Sequence, residues 1–320
     1  MLLNLWNNEN LTQSFLQIFN ISENQMDCII SRQHLNEDEP YIVSFCEETG
    51  IKLDSVNYTN DLTFLGKIVS TTIDNFKSLK KYGLVPVDFL LENDSPLSKF
   101  LKKYNITITP SKHEFTYKNN HFYIPSYNED CKQCIFGDAE CRYSNYNYKD
   151  LACEYYEAVQ SLSIRLYNHK SEIEMFLYAS NHNMLTYSTV NRFPEIFINI
   201  EKLILKGFGT PLNLGNEWIE QKRCSYIVTL PINYTDMSYR EGYISGSDGD
   251  AFSLLSQYGD YCEKTYYYPE EVPTCFWNNI WLINTCLNRI CYPDMSGSYM
   301  CAGMKHNILI PYDKLDIEIV

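Results

Sequence analysis

The sequence predicts an α+β protein, a mixed sheet with packed helices, carrying a four-cysteine, metal-braced hairpin and helix as an insertion. Three observations point there. Apolar residues recur at helical spacing in several stretches, as at Tyr155, Val159, Leu162 and Leu166. Alternating, aromatic-rich runs at His113 to Tyr117 and His121 to Ile124 flank Lys118-Asn119-Asn120, a turn whose asparagines tolerate positive φ, so a β-hairpin is expected. Between that hairpin and the next helix stand Cys131, Cys134, Cys141 and Cys153, at metal-ligand spacing.

Taken in order, Phe15, Ile18 and Phe19 mark an N-terminal helical cap. After the acidic turn from Asn36 to Pro40, Tyr41-Ile42-Val43-Ser44-Phe45 reads as a strand, because β-branched and aromatic residues suit a pleated surface. Lys67 to Thr72 reads as another strand. Thr71-x-x-Asp74 then has the form of a capping box, and Ile73, Phe76 and Leu79 share one face of a helix that Gly83 ends. Ser95-Pro96 sets an N-cap before a proline at the first helical position, Leu97, Phe100 and Leu101 supply the buried stripe, and Tyr104-Asn105 closes the helix. Beyond the cysteines a helix runs through Leu151 to Leu166, and a second runs from Pro194 to Lys206, bounded by Gly207. Cys224 to Leu230 is a strand, Gly242 to Asp250 a glycine-rich loop, and Ile280, Trp281, Ile283, Leu287 and Ile290 mark a buried helix. Asn307 to Pro311 and Leu315 to Val320 read as closing strands. The expected division is an N-terminal α/β part over 1–125, the cysteine segment with its following helix over 126–166, and a C-terminal α+β part over 167–320.

A chain of 320 residues with 45% hydrophobic and 21% charged side chains has the balance of a folded globular protein. Its net charge of -14 opposes generic binding along a phosphate backbone. Lys77, Lys80 and Lys81 with Lys99, Lys102 and Lys103 form a local basic cluster whose helical spacing reads as a solvated face; a specific nucleic-acid or nucleotide site stays open. No apolar stretch has the length of a membrane span and the start lacks a secretory pattern, so a cytoplasmic protein with no membrane partner is expected. The 27 tyrosines imply either core packing or a surface that recognises a protein partner.

In a reducing compartment the twelve cysteines read as thiols or metal ligands rather than disulfides. The spacing Cys131-x2-Cys134-x6-Cys141-x11-Cys153 suits a tetrahedral structural zinc, since an x2 knuckle brings two thiolates to one ion and four cysteines leave no open coordination position. An iron–sulfur cluster and free thiols are the other readings of the same residues. Cys262, Cys275, Cys286, Cys291 and Cys301 have no close pair and read as buried thiols. His113 and His121, across the hairpin, read as surface residues, and no histidine pair has the spacing of a catalytic zinc site.

A phosphate-binding glycine loop, a Gly-x-Ser-x-Gly elbow and a His-Glu-x-x-His pair are all missing from the sequence. One stretch carries a resemblance. Lys67-Ile68-Val69-Ser70-Thr71-Thr72-Ile73-Asp74-Asn75, followed by a helix and Gly83-Leu84, resembles the strand-helix opening of DarT-type ADP-ribosyltransferases, with Val69 standing near the family's strand histidine. The resemblance implies NAD as cofactor, with Thr71 and Thr72 near the nicotinamide ribose. Tyr187-Ser188-Thr189 is similar to the element that braces the nicotinamide pocket in the wider class. Glu318 falls where that class keeps a glutamate that orients the acceptor and stabilises the positively charged ribose. The resemblance thus implies an NAD-dependent, cytoplasmic toxin or defence effector with Ser188 and Glu318 as catalytic residues. Without it, Thr71 and Thr72 cap a helix, Ser188 and Thr189 open the turn before Pro194, and Glu318 is an exposed strand residue. Two further functions fit the residues: a zinc-braced module that binds a protein partner without catalysis, and nucleic-acid processing with an iron–sulfur cluster.

Overall fold

The computed structural model describes residues 1–35, 41–71, 75–126, 154–168, 173–187, 189, 192–221, 225–240, 271–293, 299–305 and 308–320. In chain order the elements are β1 (Leu2–Leu3), α1 (Asn8–Phe19), α2 (Glu23–Leu35), α3 (Tyr41–Thr49), β2 (Thr63–Thr71), α4 (Asn75–Tyr82), α5 (Val87–Glu92) and α6 (Pro96–Lys102), then β3 (Ile106–Thr109), β4 (Glu114–Tyr117) and β5 (Asn120–Tyr123). There follow α7 (Glu154–Ser163), β6 (Glu174–Ala179), α8 (Asn181–Thr186), α9 (Ile196–Phe208), α10 (Leu214–Glu220), β7 (Ser225–Asn233), β8 (Met237–Arg240), α11 (Thr274–Cys291), β9 (Tyr299–Met304) and β10 (Asp316–Ile319). Helices and antiparallel strand pairs make this an α+β protein. The chain divides into two units, one drawn from Met1–Lys67, Met175–Asn183 and Leu230–Gly303, the other from Ile68–Glu174, Met184–Thr229 and Met304–Val320.

In the first unit α1 begins at Asn7, whose side chain accepts the Asn10 N–H, and ends at Asn20 with φ 52. Leu11, Phe15 and Phe19 recur every fourth residue on its buried face, and the Phe15 and Phe19 rings lie 5.8 and 4.9 Å from that of Phe45. Phe45 belongs to α3, so Tyr41 to Phe45 is helix and not the expected strand. Its burial explains the difference: Ile42, Phe45 and Cys46 are buried at helical spacing, and contact with α1 overrides a sequence rich in β-formers.

Helix α11 is the centre of this unit. Phe276, Trp277, Ile280, Trp281, Ile283, Cys286 and Leu287 are buried around it, the mark of a helix enclosed on nearly every side. Trp281 packs 5.5 Å from both Phe64 and Tyr234. Two buried asparagines tie the helix to its surroundings. The Asn279 amide donates to the carbonyls of Leu53 (2.8 Å) and Val56 (2.6 Å) while its oxygen accepts the Tyr58 N–H, and Asn278 accepts from the Tyr234 hydroxyl at 2.7 Å. In this unit β1 lies parallel to β2 at Leu2↔Thr63, and β2 pairs antiparallel with β6 at Lys67↔Phe176.

The second unit buries Phe100, Phe197, Leu101, Ile106, Phe115, Val159, Leu162 and Trp218 in one cluster. Phe100 stacks on Phe197 at 5.2 Å and meets Trp218 edge-on at 5.0 Å. The expected N-cap at Ser95 opens α6, and it closes as a capping box: the Ser95 side chain accepts the Ser98 N–H and Ser98 returns the bond; the capping box expected at Thr71-x-x-Asp74 lies outside the described residues. The expected hairpin is β4–β5, with Glu114 opposite Tyr123 and with positive φ at Lys118 (48) and Asn119 (68), the backbone a tight two-residue turn demands. Beyond Ser163 the chain from α7 continues over 164–168 as a π-helical turn. Helix α9 runs through Gly207 and ends at Gly209 in the left-handed region, two residues past the expected stop. Strand β10 pairs antiparallel with β7, from Asp316↔Thr229 to Ile319↔Tyr226. The strand expected over 307–311 is, among the described residues, a single bridge between Ile310 and Leu84.

Candidate functional site

The second half of β2, helix α4 and the entry to α5 enclose a pocket of about 220 Å³ in the second unit. Helix α4 turns Ser78 and Leu79 inward and Lys77, Lys80 and Lys81 outward. Gly83 stops the helix at φ +74 with its N–H on the Leu79 carbonyl (2.8 Å). Leu84 is then held extended by two backbone bonds with Ile310, at 2.9 and 3.4 Å, and Pro86 starts α5. The fixed φ of proline suits that entry.

The walls are largely apolar, with Ile68, Val69, Leu79, Val85, Val87 and Leu90 among them; Ser70, Ser78 and Glu174 are the lining residues with polar side chains. Among the described residues, Glu174 is the one ionisable residue of the lining. The Arg165 guanidinium lies 3.8 Å from the Glu174 carboxylate and 2.8 Å from that of Glu195. An apolar recess with a few polar groups is the usual form of a small-ligand site. Half of the lining residues fall within 67–84, the stretch that carries the resemblance.

Of the residues the sequence singled out, Thr71 is the last residue of β2, adjacent in sequence to Ser70 of the lining; its side chain, Thr72 and Ser188 lie outside the described residues. Tyr187 follows α8 and is half-buried. The Thr189 carbonyl accepts the N–H groups of Arg192 (2.8 Å) and Phe193 (2.9 Å), which makes it the opening of the turn before Pro194. Glu318 is exposed on β10 opposite Ile227 and is not part of the pocket lining. Val228, which does line the pocket, faces Ile317 one register position away, and alternation puts Glu318 on the other side of the sheet. Glu174 has no signal in the sequence around it. Ser78 has one, as a small polar residue on the buried side of an amphipathic helix.

Cys131, Cys134, Cys141, Cys153 and Cys262 lie outside the described residues. Among the described residues no group of three His, Cys, Asp or Glu side chains is gathered as a metal would require. Cys286 is fully buried and burial pushes its thiol up, while Cys291 is raised to about 11 for the same reason, so neither thiol is an activated nucleophile. His121 is exposed and its Nδ1 lies 2.5 Å from the Glu114 carboxylate. His113 is half-buried instead of at the surface: its ring stacks between Tyr167 at 4.3 Å and Tyr123 at 5.4 Å, with Nδ1 2.9 Å from the Ile124 carbonyl.

Among the described tyrosines whose exposure is defined, Tyr123 and Tyr299 are exposed and the others are buried or half-buried, so packing accounts for most of them. No helix among the described residues is long and apolar enough to cross a membrane. No family model, curated protein or solved structure matches the chain.

Proposed function

We propose that this protein is an NAD-dependent, ADP-ribosyltransferase-like enzyme that acts in the cytoplasm as a toxin or defence effector, and that the pocket of the second unit takes the nicotinamide end of the dinucleotide. The observation that carries the reading is the coincidence of the pocket with residues 67–84, which come from the sequence stretch that resembles DarT-type enzymes. A volume of about 220 Å³ is right for one ring and its substituent; a cavity of roughly 150 Å³ already holds benzene. The ribose would lie beside Thr71 and Thr72, where the resemblance puts it, and Tyr187 and Ser188 would brace the nicotinamide pocket. The chemistry is cleavage of the bond from the ribose to the nicotinamide nitrogen, in which positive charge develops on the sugar and nicotinamide leaves neutral, while the acceptor nucleophile bonds to the same ribose carbon and gives up its proton. Glu318 serves the acceptor in this reading, outside the ring pocket.

The test is thermal unfolding with and without NAD, together with release of nicotinamide in cell extract. Saturation at a hundredfold over Kd stabilises a protein by about 2.7 kcal/mol. Glu318→Gln is expected to abolish transfer and to keep the protection. If NAD neither protects the wild-type protein nor is turned over, the reading is wrong.

In the same reading Cys131, Cys134, Cys141 and Cys153 hold one structural zinc that braces the insertion. Elemental measurement on purified protein is expected to find one equivalent. Sub-stoichiometric metal in every preparation would sink that assignment.

A further inference from the structure

We infer that the pocket selects a flat, positively charged ring over its uncharged counterpart, and that Glu174 is the residue that makes the selection. The inference rests on the reading of the pocket as a nicotinamide site and goes beyond it, because it names the property of the ring that is recognised and the side chain responsible. Among the described residues, Glu174 is the one ionisable side chain in a lining otherwise composed of aliphatic residues, proline, glycine and two serines. A carboxylate beside apolar walls acts through less solvent than one on an open surface, so it discriminates more strongly between a cation and a neutral ring of the same shape. Ser70 and Ser78 offer hydrogen bonds to either ring and leave that choice to the charge. The pocket volume admits one ring, so an oxidised nicotinamide ring, which carries its charge in the aromatic system, would bring that charge into the recess.

Glu174→Gln isolates the effect. It keeps the shape of the side chain, and Arg165 retains its nearer partner, Glu195 at 2.8 Å. The probes are 1-methylnicotinamide, methylated on the ring nitrogen and so a permanent cation, and nicotinamide, its neutral counterpart, each titrated by calorimetry into the full-length wild-type and Glu174→Gln proteins, with thermal unfolding of the unliganded variant as the check on folding. The cation is expected to bind the wild-type protein about fivefold tighter than the neutral ring, the scale of a partly exposed charge pair. That preference should disappear in Glu174→Gln and weaken as salt is raised, while binding of the neutral ring stays level. Should Glu174→Gln fail to fold, the salt series on the wild-type protein decides: a preference for the cation that does not fall with salt overturns the inference. Equal affinity of both rings for the wild-type protein, or a preference kept in a folded Glu174→Gln, also overturns it while the NAD reading stands. If neither ring binds but NAD still protects, the charge selection falls alone. If neither ring binds and NAD gives no protection, both fall.

Discussion

Replacing Gly83 by alanine should cost far more than the same change at Gly209, although both glycines lie in the second unit at similar positive φ, +74 and +63. A left-handed backbone penalises any side chain by about 1–2 kcal/mol, and Gly209→Ala should cost only that, because a Cβ there meets nothing within 4 Å. At Gly83 the added Cβ would stand 2.2 Å from the Ile310 carbonyl oxygen, 3.1 Å from its carbon and 3.2 Å from Pro311 Cα. These are backbone atoms and have no rotamer to give. Relief requires Ile310 to move, which breaks its two bonds to Leu84, worth about 1 kcal/mol each. The expected total for Gly83→Ala is thus about 3–4 kcal/mol, measured as the fall in unfolding free energy in urea. Gly83 also lines the pocket, so protection by ligand should fall with it. If the two alanine variants agree to within about 0.5 kcal/mol, the clamp between Leu84 and Ile310 does not hold the pocket wall.

Asn279→Ala should destabilise by about 2 kcal/mol in the same assay, because it strands the buried Leu53 carbonyl together with the part-buried Val56 carbonyl and Tyr58 N–H; a loss under about 0.5 kcal/mol would show that water replaces these bonds. Gln160, 7% exposed, has neither amide oxygen nor amide nitrogen hydrogen-bonded among the described residues, so Gln160→Met should raise stability by about 1 kcal/mol, and a loss of that size would mean that the amide has a partner in solution. Cys291 gives a pH signature. Its thiol is raised by burial from 9.0 to about 11, so the folded state keeps the proton that the unfolded chain gives up. Its contribution is therefore complete below pH 9 and is lost as pH rises from 9 to 11. Denaturation midpoints at pH 8.5 and 10.5 should fall more steeply in the wild-type protein than in Cys291→Ala; parallel slopes would refute the assignment.

Where local chemistry dictates structure, the sequence is readable. The asparagines of Lys118-Asn119-Asn120 announce the hairpin, although positive φ falls at Lys118 and Asn119, and Asn120 begins β5; Ser95-Pro96 marks the start of α6, and Gly83 ends α4. Where burial decides, it is not. Met175 to Tyr178 in β6 are all buried, so this strand lacks the alternation that announces a half-exposed one. Tyr41 to Phe45 carries residues favoured in strands yet is helix, because it packs on α2 and α11 and sets Phe45 against the Phe15 and Phe19 rings of α1. The pocket divides in the same way. Its β2–α4–Gly83 portion is continuous in sequence and carries local signals of strand, helix and stop; Glu174 and Val228 reach it from distant strands, with nothing local to announce them.

The interleaving of the two units has a consequence for biosynthesis. Helices α1 to α3 are made first, but the side chain that gathers the Leu53 and Val56 carbonyls is Asn279, 226 and 223 positions downstream. A chain growing on the ribosome must hold these early segments, with apolar faces such as Phe15 and Phe45, unsealed until α11 has emerged. Closing so long a loop costs little more free energy than closing a short one, but contacts so distant in sequence slow the search for them. Any fragment ending before Thr274 lacks α11 and so leaves the first unit without its central helix.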